Sequence, residues 1–362
     1  MFRAEVVGSM LRPAYLQDAR AALERGEITP RQFKQIEDRA VDQVIATQEG
    51  AGVDVVSDGE MRRFLFMGPI TETVTGIEPV EEGTAMPWAS PEGQTEWVSP
   101  LAVTSKLGRK RSLVCEEYSY ARARARRPLK VTVPSPLVLY GLWHRRYSTA
   151  AYRDPFAMFA DAAEVGRAEI AELVALGCEY VQVDAPELAT LVDPRVRDWA
   201  EAQGMPAERM LTEGIELING MVAGISGPRL AIHLCRGNNA GMWMASGGYD
   251  YIAEELFKRT SAFDAYLLEY DNPRAGSFEP LARAPHDKQV VLGLVSTKTA
   301  RLESPDELRA RIDEASRFFP HEQLGLCTQC GFASIATGNP ITEEAQERKL
   351  RLVAEVAHAV WG

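Results

Sequence analysis

In the stretch LAIHLCRGNN (residues 230–239), a short apolar run is followed by a histidine and a cysteine and then by arginine, glycine and two asparagines. A continuous apolar run of this length is typical of a strand covered on both faces, as in a parallel sheet. Side chains alternate between the faces of a strand, so His233 and Cys235 are predicted to project to the same side. Two side chains that can bind a metal would then share one face at a strand end.

Similar runs recur along the chain and alternate with helical patterns. Candidate strands are 4–9, 53–60, 130–136, 180–186, 229–235, 265–271, 289–296 and 324–332, and the clearest helices are 31–50, 155–177, 305–318 and 342–360. TPRQF and SPDEL each place Pro directly after an N-cap Thr or Ser, which indicates a helix start. Eight strands alternating with helices predict an α/β fold of the (β/α)₈ TIM-barrel type, and we expect residues 1–362 to form a single domain.

One segment does not follow the repeat. Residues 64–128 are too long for one connection, and we predict an inserted hairpin and helix between strands 2 and 3, packed on the barrel. Eight Lys or Arg residues lie between 109 and 130. They could receive an anionic substrate tail, although charge runs on insertions are more often solvated faces or partner contacts.

Composition limits the class of protein. Hydrophobic residues make up 46% and charged residues 25% of the 362 residues, as in a globular protein with a large core. The formal charge of −11 opposes broad attraction to nucleic acid or anionic lipid. No apolar run is long enough for a membrane span, Arg3 and Glu5 interrupt any signal-peptide core, and five cysteines do not suggest a secreted disulfide framework. We expect a cytoplasmic protein with small-molecule partners, and a homo-oligomer is one candidate assembly.

Polar residues follow strand after strand at the carboxyl ends, where barrel active sites lie. They are Ser9, Asp58, Glu60, Asp184, His233, Cys235, Glu269, Asp271, Lys298 and Cys330. Singly, each could be a helix cap, an ion-pair partner or a core residue. Together, His233, Cys235, Cys330 and a carboxylate form a set of N, S, S and O donors that favours zinc over magnesium or calcium. Glu269 is the expected fourth ligand, with Asp271 as its competitor on the same face.

The CTQC stretch (327–330) offers a rival interpretation as a redox pair or half of a zinc knuckle. No second Cys-x-x-Cys completes a knuckle, and Cys327 lies inside the apolar run and should face elsewhere from Cys330. We assign Cys327, and also Cys115 and Cys178, to the core.

Six motifs carry a resemblance to a known family. They are VVGSMLRP (6–13), VDVVSDGEMRR (53–63), VQVDAPELA (181–189), HLCRGNN (233–239), LLEYDN (267–272) and LCTQCGF (326–332). In this order they resemble the cobalamin-independent methionine synthase family in its short single-barrel form. The resemblance implies a (β/α)₈ barrel whose zinc binds and activates a thiol substrate for attack on a carbon electrophile.

The resemblance also assigns residues. His233, Cys235, Glu269 and Cys330 match the zinc ligands of the family. Ser9, Glu60 and Asp184 match the positions that hold the carboxylate and ammonium groups of homocysteine, and negative charge at the two acids suits an ammonium group.

Two departures from the long members of the family concern the methyl donor. Those enzymes have an additional amino-terminal barrel that helps hold the polyglutamyl folate, for which we expect no room here. Where they carry a histidine thought to protonate the folate leaving group, GLVSTKTARLES (293–304) has Lys298, a poorer general acid at neutral pH. Lys298 and Asp184 are the candidate catalytic residues, and Trp143 is either a stacking platform for a flat donor or a core residue.

The leading hypothesis is zinc-dependent alkyl transfer to a thiol, most simply methyl transfer to homocysteine to give methionine. Methyl-folate, methylcobalamin and another small methyl carrier all remain candidate donors. One alternative is an epoxyalkane:coenzyme M-type thiol transferase, to which the resemblance extends, and another is a zinc-stabilised binding protein without chemistry. A zinc position accessible to a thiol would favour catalysis, because structural zinc sites are closed.

Overall fold

A curled sheet of parallel strands forms the centre of the protein in a computed structural model that describes residues 1–362. The chain forms eleven strands: β1 (Ala4–Glu5), β2 (Val74–Pro79), β3 (Ala85–Ser90), β4 (Gly93–Val98), β5 (Leu101–Arg109), β6 (Val131–Pro134), β7 (Tyr180–Asp184), β8 (Arg229–Leu234), β9 (Ala265–Glu269), β10 (Gln289–Val295) and β11 (Leu324–Thr328). Seven of them pair in the order β1-β11-β10-β9-β8-β7-β6, and every pairing in this sheet is parallel. The arrangement is the α/β, TIM-barrel-like architecture that the alternating pattern predicts.

The predicted strand 53–60 is the main difference from expectation. Only two parallel bridges form there, Glu5 with Val55 and Val56 with Leu129, so this short segment connects the two edges of the sheet. Several other predicted strands end earlier than expected: β7 stops at Asp184 and β9 at Glu269. The backbone leaves the ladder at these polar positions because the chain turns there into the loops that carry the site.

Helices cover the outside of the sheet. They are α1 (Ala14–Glu24), α2 (Pro30–Ala51), α3 (Gly68–Thr71), α4 (Leu113–Arg122), α5 (Arg145–Ser148), α6 (Pro155–Ala175), α7 (Pro186–Thr190), α8 (Pro194–Ala202), α9 (Ala207–Arg209), α10 (Ile215–Val222), α11 (Ala253–Arg259), α12 (Pro305–Ala315) and α13 (Glu343–Trp361). The four helices predicted from periodicity are confirmed as α2, α6, α12 and α13, with ends within three residues. Thr29 and Ser304 are the N-caps that the sequence indicates, and Thr29 forms a capping box with Gln32.

A small apolar cluster fills the interior of the curled sheet. Its members are Val7, Val55, Tyr180, Ala231, Ala265, Leu267, Val291 and Cys327. Because side chains alternate along a strand, Asp184, His233 and Glu269 share the inward face with Tyr180, Ala231 and Leu267. The expectation that Cys327 is a core residue agrees with its complete burial, and its side chain belongs to the interior apolar cluster, of which Cys330 is not a member. β11 ends at Thr328, so the alternation no longer applies at Cys330.

Residues 64–128 form α3, two nested antiparallel strand pairs and α4. β3 pairs with β4 as a tight hairpin, β2 pairs with β5 around it, and α4 follows. The hairpin is attached to the loop after β8 by two backbone hydrogen bonds between Ala89 and Trp243, of 2.7 and 3.0 Å. This attachment places one face of the hairpin over the carboxyl end of the sheet. None of the helices is both long enough and apolar enough to cross a membrane.

Candidate metal centre and substrate cavity

Three of the predicted ligands meet at the carboxyl end of the sheet. One ligand atom each from His233, Cys235 and Cys330 lies within 4.8 Å of the other two, and all three residues are buried. Tetrahedral zinc would hold such donors about 3.5–3.8 Å apart, which follows from metal–ligand distances near 2.0–2.3 Å. Strand β8 supplies His233 at its end and Cys235 just beyond it, whereas Cys330 arrives from the loop after β11.

The imidazole of His233 is oriented as a metal ligand. Its Nδ1 lies 3.2 Å from the carbonyl oxygen of Leu267, which can only accept, so Nδ1 carries the proton. Nε2 is buried and has no hydrogen-bond partner. A metal-bound histidine usually donates its second ring nitrogen to a carbonyl or carboxylate in this way. The orphaned Nε2 and two adjacent sulfurs therefore fit a soft divalent cation such as zinc.

The thiols of Cys235 and Cys330 are hydrogen-bonded to each other, and this contact shifts their pKa values in opposite directions. A hydrogen bond from Cys235, with further help from His233, lowers the pKa of Cys330 well below its usual range despite burial. The same hydrogen bond, burial and the nearby Glu269 carboxylate raise the pKa of Cys235. One thiolate is thus favoured without a metal, and metal binding requires that both be deprotonated.

Glu269 lies beside this cluster but is engaged elsewhere. One carboxylate oxygen accepts the backbone N–H of Arg236 at 2.7 Å, and the other accepts the guanidinium of Arg274. Burial opposes ionisation, but Arg274, Lys298 and Arg236 together lower the pKa of Glu269. The structure therefore presents Glu269 as a carboxylate held by arginine outside the three-residue cluster, not as a fourth member of it.

A cavity of about 530 Å³ opens directly onto the three ligands. The sequence-predicted substrate residues Ser9, Glu60 and Asp184 line this cavity together with His233, Cys235 and Cys330. Ser9 reaches it because Gly331 leaves space: a Cβ at position 331 would lie 2.0 Å from the Ser9 Oγ. The metal cluster and the predicted amino-acid subsite therefore share one space.

Glu60 is held in an unusual backbone conformation. Its φ of 56° is uncommon for a residue other than glycine and marks a locally strained backbone. Oε1 accepts the hydroxyl of Thr132 at 2.9 Å, while Oε2 is buried without a partner. Burial raises the pKa of Glu60 although Arg63 and Arg12 oppose the shift. A cationic group in the cavity would satisfy the free oxygen.

Asp184 stands at the end of β7, adjacent to His233 in the parallel ladder. Its Oδ1 accepts the amide N–H of Gln182 at 2.7 Å. Burial, together with the neighbouring Glu60, raises the pKa of Asp184 to about 7 although His233 lowers it. Glu60 and Asp184 repel one another as anions, so an ammonium group between them would stabilise both charges.

Lys298 does not line the cavity. Its ammonium donates to the carbonyl oxygens of Gly237 and Met242 and to Oδ1 of Asn238, at 2.9, 3.3 and 2.9 Å. All three N–H groups of a lysine are thereby engaged. Lys298, predicted to be catalytic, instead supports the loop after β8 through these three contacts. Asn238 continues the brace through its amide, which donates to the Gly331 carbonyl at 2.7 Å.

Trp143 is also absent from the cavity wall. It is 2% exposed, and its carbonyl accepts the Thr84 hydroxyl at 2.6 Å, so it supports the base of the inserted hairpin. Of the two interpretations of Trp143 from sequence, the core residue is the one that the structure shows.

The basic run 109–130 lies away from the cavity as well. Arg109 pairs with Glu169 and Glu172 on α6, Arg126 pairs with Glu49, and the buried Lys130 pairs with Glu5 at 2.8 Å. None of its Lys or Arg side chains lines the cavity. A role in receiving an anionic tail is therefore not supported, and Arg109 and Arg126 instead tie the insertion to helices α6 and α2.

Sequence reasoning missed the aromatic wall of the cavity. Phe64, Phe66, Trp88 and Trp97 from the insertion line the cavity with Tyr140. The alternation of Met86 and Trp88 along a strand of a Pro- and Gly-rich insertion is the signal that could have indicated it.

Comparisons with known proteins agree with these features. The family model described as the catalytic domain of the cobalamin-independent synthase matches residues 2–358. The uncharacterized protein YxjH of Bacillus subtilis is 34% identical over 99% of this chain and 95% of its own length. A methionine synthase of Sulfurisphaera tokodaii is 25% identical over 90% of this chain and 84% of its own.

Solved structures share the fold. The putative vitamin-B12-independent methionine synthase from Listeria monocytogenes aligns with a TM-score of 0.73 and 26% identity, over 100% of this chain and 98% of that chain. A B12-independent methionine synthase from Shewanella sp. W3-18-1, in complex with selenomethionine, aligns with a TM-score of 0.75 over 99% and 98%, and at 18% identity this likeness concerns the fold alone. With a family model matched along almost the entire chain, the protein belongs to the cobalamin-independent methionine synthase family and is similar to its single-barrel members.

Proposed function

We propose that the protein catalyses zinc-dependent methyl transfer to homocysteine, giving methionine. The observation that carries the proposal is the opening of the His233, Cys235 and Cys330 cluster onto the same cavity as Glu60 and Asp184. A thiol that enters this cavity can reach the metal position. The carboxylates beside it suit the ammonium group of an amino-acid thiol rather than a thiol without charge. Membership of a methionine synthase family supports the same reaction.

The protein residues would bind and orient the acceptor. The ammonium group of homocysteine would lie between Oε2 of Glu60, which has no partner in the protein, and the Asp184 carboxylate. The hydroxyl of Ser9 would donate to the substrate carboxylate from the adjoining wall. These contacts fix the amino-acid end, so the side-chain sulfur extends toward the cysteine pair. Orientation of this kind lowers the entropic part of the barrier.

His233, Cys235 and Cys330 would hold the zinc. Zinc bound there would supply Lewis acidity, which favours the thiolate form of a thiol at neutral pH. We retain Glu269 as the proposed fourth ligand, which would require that its carboxylate give up the contact with Arg274 or with the Arg236 N–H. Until it does so, its charge stabilises the guanidinium groups that shape the loop after β8. We also propose that residues 1–362 act as one catalytic domain, while the cytoplasmic location and homo-oligomer stay predictions.

The alternatives fit the cavity less well. A coenzyme M-type acceptor carries a sulfonate, but the lining contains two carboxylates and neither Lys nor Arg. A purely structural zinc site would be closed, whereas the ligands here border a cavity of about 530 Å³. The charges of the lining favour an amino-acid thiol as the acceptor. The open cavity favours a catalytic site over a structural one.

The direct test is incubation of zinc-loaded protein with homocysteine, cysteine and coenzyme M against a panel of methyl donors and an epoxide. Mass spectrometry would identify the thioether that forms. We expect methionine from homocysteine and no thioether from coenzyme M. Turnover of coenzyme M with the epoxide and none of homocysteine would contradict the proposal.

A further inference from the structure

The wall of the cavity that the inserted hairpin supplies bears on the identity of the methyl donor. Resting on the proposed transfer to a thiol, we propose that the donor is a small methyl-onium cation, a sulfonium or a quaternary ammonium, held against the aromatic side chains of the inserted hairpin. Both kinds of onium are small cations whose positive charge is distributed over the attached methyl groups.

The hairpin presents a single aromatic face. Met86 pairs with Trp97 across the two strands, and Trp88 pairs with Thr95. Residues paired across an antiparallel ladder, and residues two apart along it, lie on the same face. Met86, Trp88 and Trp97 thus share a face, and all three line the cavity. Trp88 and Trp97 are diagonal neighbours, at a spacing that allows two indoles to bound one small group.

This face lies close to the reacting centre. The Trp88 ring is so near the loop after β8 that a Cβ at Gly237 would lie 3.2 Å from its Cη2. Gly237 follows Cys235 by two residues, so the indole borders the backbone that carries a metal ligand. A donor in contact with Trp88 would therefore sit beside the position that the acceptor sulfur occupies. The cavity, at about 530 Å³, is of the size that small ligands and substrates use.

The charges around the cavity disfavour an anionic donor. Glu60 and Asp184, which would hold the ammonium group of the acceptor, are its acidic lining residues, and no Lys or Arg lines it. A polyanionic carrier would find no cationic side chain in the lining to offset its charge, which is unfavourable in a partly desolvated site. A methyl-onium would instead gain attraction from the faces of Trp88 and Trp97, since indole is the best aromatic partner for such cations.

Methyl transfer from an onium also suits the site because it needs no group that donates a proton. The thiolate sulfur of the acceptor attacks the methyl carbon, and a new S–C bond forms as the bond from that carbon to the positive sulfur or nitrogen breaks. The electron pair of the broken bond returns to the onium atom, which leaves as a neutral thioether or tertiary amine. No proton is required by this leaving group. Lys298, the residue predicted to supply one, donates all three N–H groups to the loop after β8.

Binding can be tested apart from turnover. Isothermal titration of the zinc-loaded protein would compare choline with 3,3-dimethylbutan-1-ol, which has the same shape without the charge. We expect the cation to bind about threefold to thirtyfold more tightly, from the magnitude of cation–π attraction. Equal binding of the two compounds would overturn the proposal.

Variants of the wall give a second measure. Trp88→Ala and Trp97→Ala should each weaken choline binding, while Trp97→Phe, which keeps an aromatic face, should retain most of it. Trp361→Phe is the matched control because Trp361 lies at the end of α13, away from the cavity. Circular dichroism and zinc content would establish that each variant is folded. Unchanged choline binding in both alanine variants would contradict the assigned wall.

Turnover separates this inference from the proposed function. Trimethylsulfonium, S-methylmethionine and tetramethylammonium would be offered with homocysteine, beside methyl-folate and methylcobalamin, and methionine would be measured. Methionine from a sulfonium or an ammonium arm supports the proposal and identifies which onium is used. Methionine from methyl-folate or methylcobalamin alone would overturn the onium donor but leave the acceptor assignment intact. Absence of homocysteine binding in a titration would contradict the proposed function itself.

Discussion

The Nδ1 of His233 donates to the main-chain carbonyl oxygen of Leu267, 3.2 Å away on the neighbouring strand β9. The two residues are also partners in the parallel ladder between β8 and β9. Because the acceptor belongs to a strand backbone, the imidazole is fixed in both tautomer and direction before any metal arrives. Nε2 therefore points to the cysteine pair as a preorganised ligand.

Loss of one ligand should remove the metal. We expect His233→Ala and Cys330→Ser each to lose most bound zinc, because the removal of one donor strongly weakens metal binding by a site with so few ligands. Zinc per chain would be measured by mass spectrometry after dialysis against a weak chelator, with circular dichroism as a control for folding. Wild-type zinc content in both variants would refute the metal assignment.

Cys327→Ala is the matched control for Cys330→Ser. Cys327 is completely buried in the interior apolar cluster, with its sulfur 4.0 Å from the Val291 carbonyl oxygen. We expect this variant to keep its zinc and to lose about 1 kcal/mol of unfolding free energy in urea, as is usual when a small buried group is removed. Zinc loss in Cys327→Ala with retention in Cys330→Ser would mean that the wrong cysteine has been assigned.

Local rules explain which features the sequence could predict. Period-two alternation placed His233 and Cys235 on one face, and strand ends placed Ser9, Glu60 and Asp184 at one edge. These inferences need only the identity of a strand and its direction. The same reasoning identified Thr29 as a helix cap, because its partner Gln32 is three residues away.

Features that depend on contacts between distant segments could not be predicted in this way. Lys298 follows strand β10 as other polar site residues follow their strands, and only its contacts with the loop 60 residues earlier show that its ammonium is engaged there and does not line the cavity. The position of Trp88 depends on hydrogen bonds between Ala89 and Trp243. Glu269 is drawn to Arg274 by charge, which the spacing of its motif does not reveal.

Asp54 contacts residues near both ends of the chain, and it should make the stability of the protein depend on pH. Its Oδ2 accepts the backbone N–H groups of Arg3 and Ala4, at 2.7 and 3.1 Å, and its Oδ1 lies 2.9 Å from Nε2 of His358. Burial opposes ionisation, but the His358 contact and the two N–H groups lower the pKa of Asp54. Its stabilisation is thus complete above about pH 4, the pKa of an unfolded aspartate, and is lost as the pH falls through the lower pKa of the folded state.

Asp54→Asn removes the charge while it preserves the shape. We expect the free energy of unfolding to fall by about 1 kcal/mol at pH 7 and the difference from wild type to shrink as the pH falls below about 4 and through the lowered pKa of Asp54. Urea titrations at several pH values would measure it. Asp18→Asn is the control, because Asp18 is an exposed aspartate on α1. A deficit that persists unchanged at low pH would contradict the role of the charge.

Lys298→Met should act on the loop after β8 and not on proton transfer. The change removes the ammonium group that donates to the Gly237 and Met242 carbonyls and to the Asn238 amide oxygen. Asn238 Oδ1 keeps the Asn339 amide at 2.9 Å and the Met242 carbonyl keeps the Asn239 N–H at 3.3 Å, so we expect a loss of about 1–3 kcal/mol of unfolding free energy. Residual activity should keep the wild-type dependence on pH. Wild-type stability together with a changed pH–rate profile would restore Lys298 as a general acid.

The Asp184 carboxylate should decide whether the acceptor is an amino-acid thiol. If the ammonium group of homocysteine lies between Asp184 and Glu60, Asp184→Asn removes a charge-assisted contact of about 1.5–3 kcal/mol. The apparent affinity for homocysteine should then fall about tenfold to a hundredfold with zinc retained, measured as KM and by titration calorimetry. Mercaptoethanol, which has no amino group, is the matched ligand and should bind the variant no less tightly than wild type, because the buried carboxylate no longer repels its thiolate. Equal losses for both thiols would assign Asp184 to the scaffold and would remove the main support for homocysteine as the acceptor.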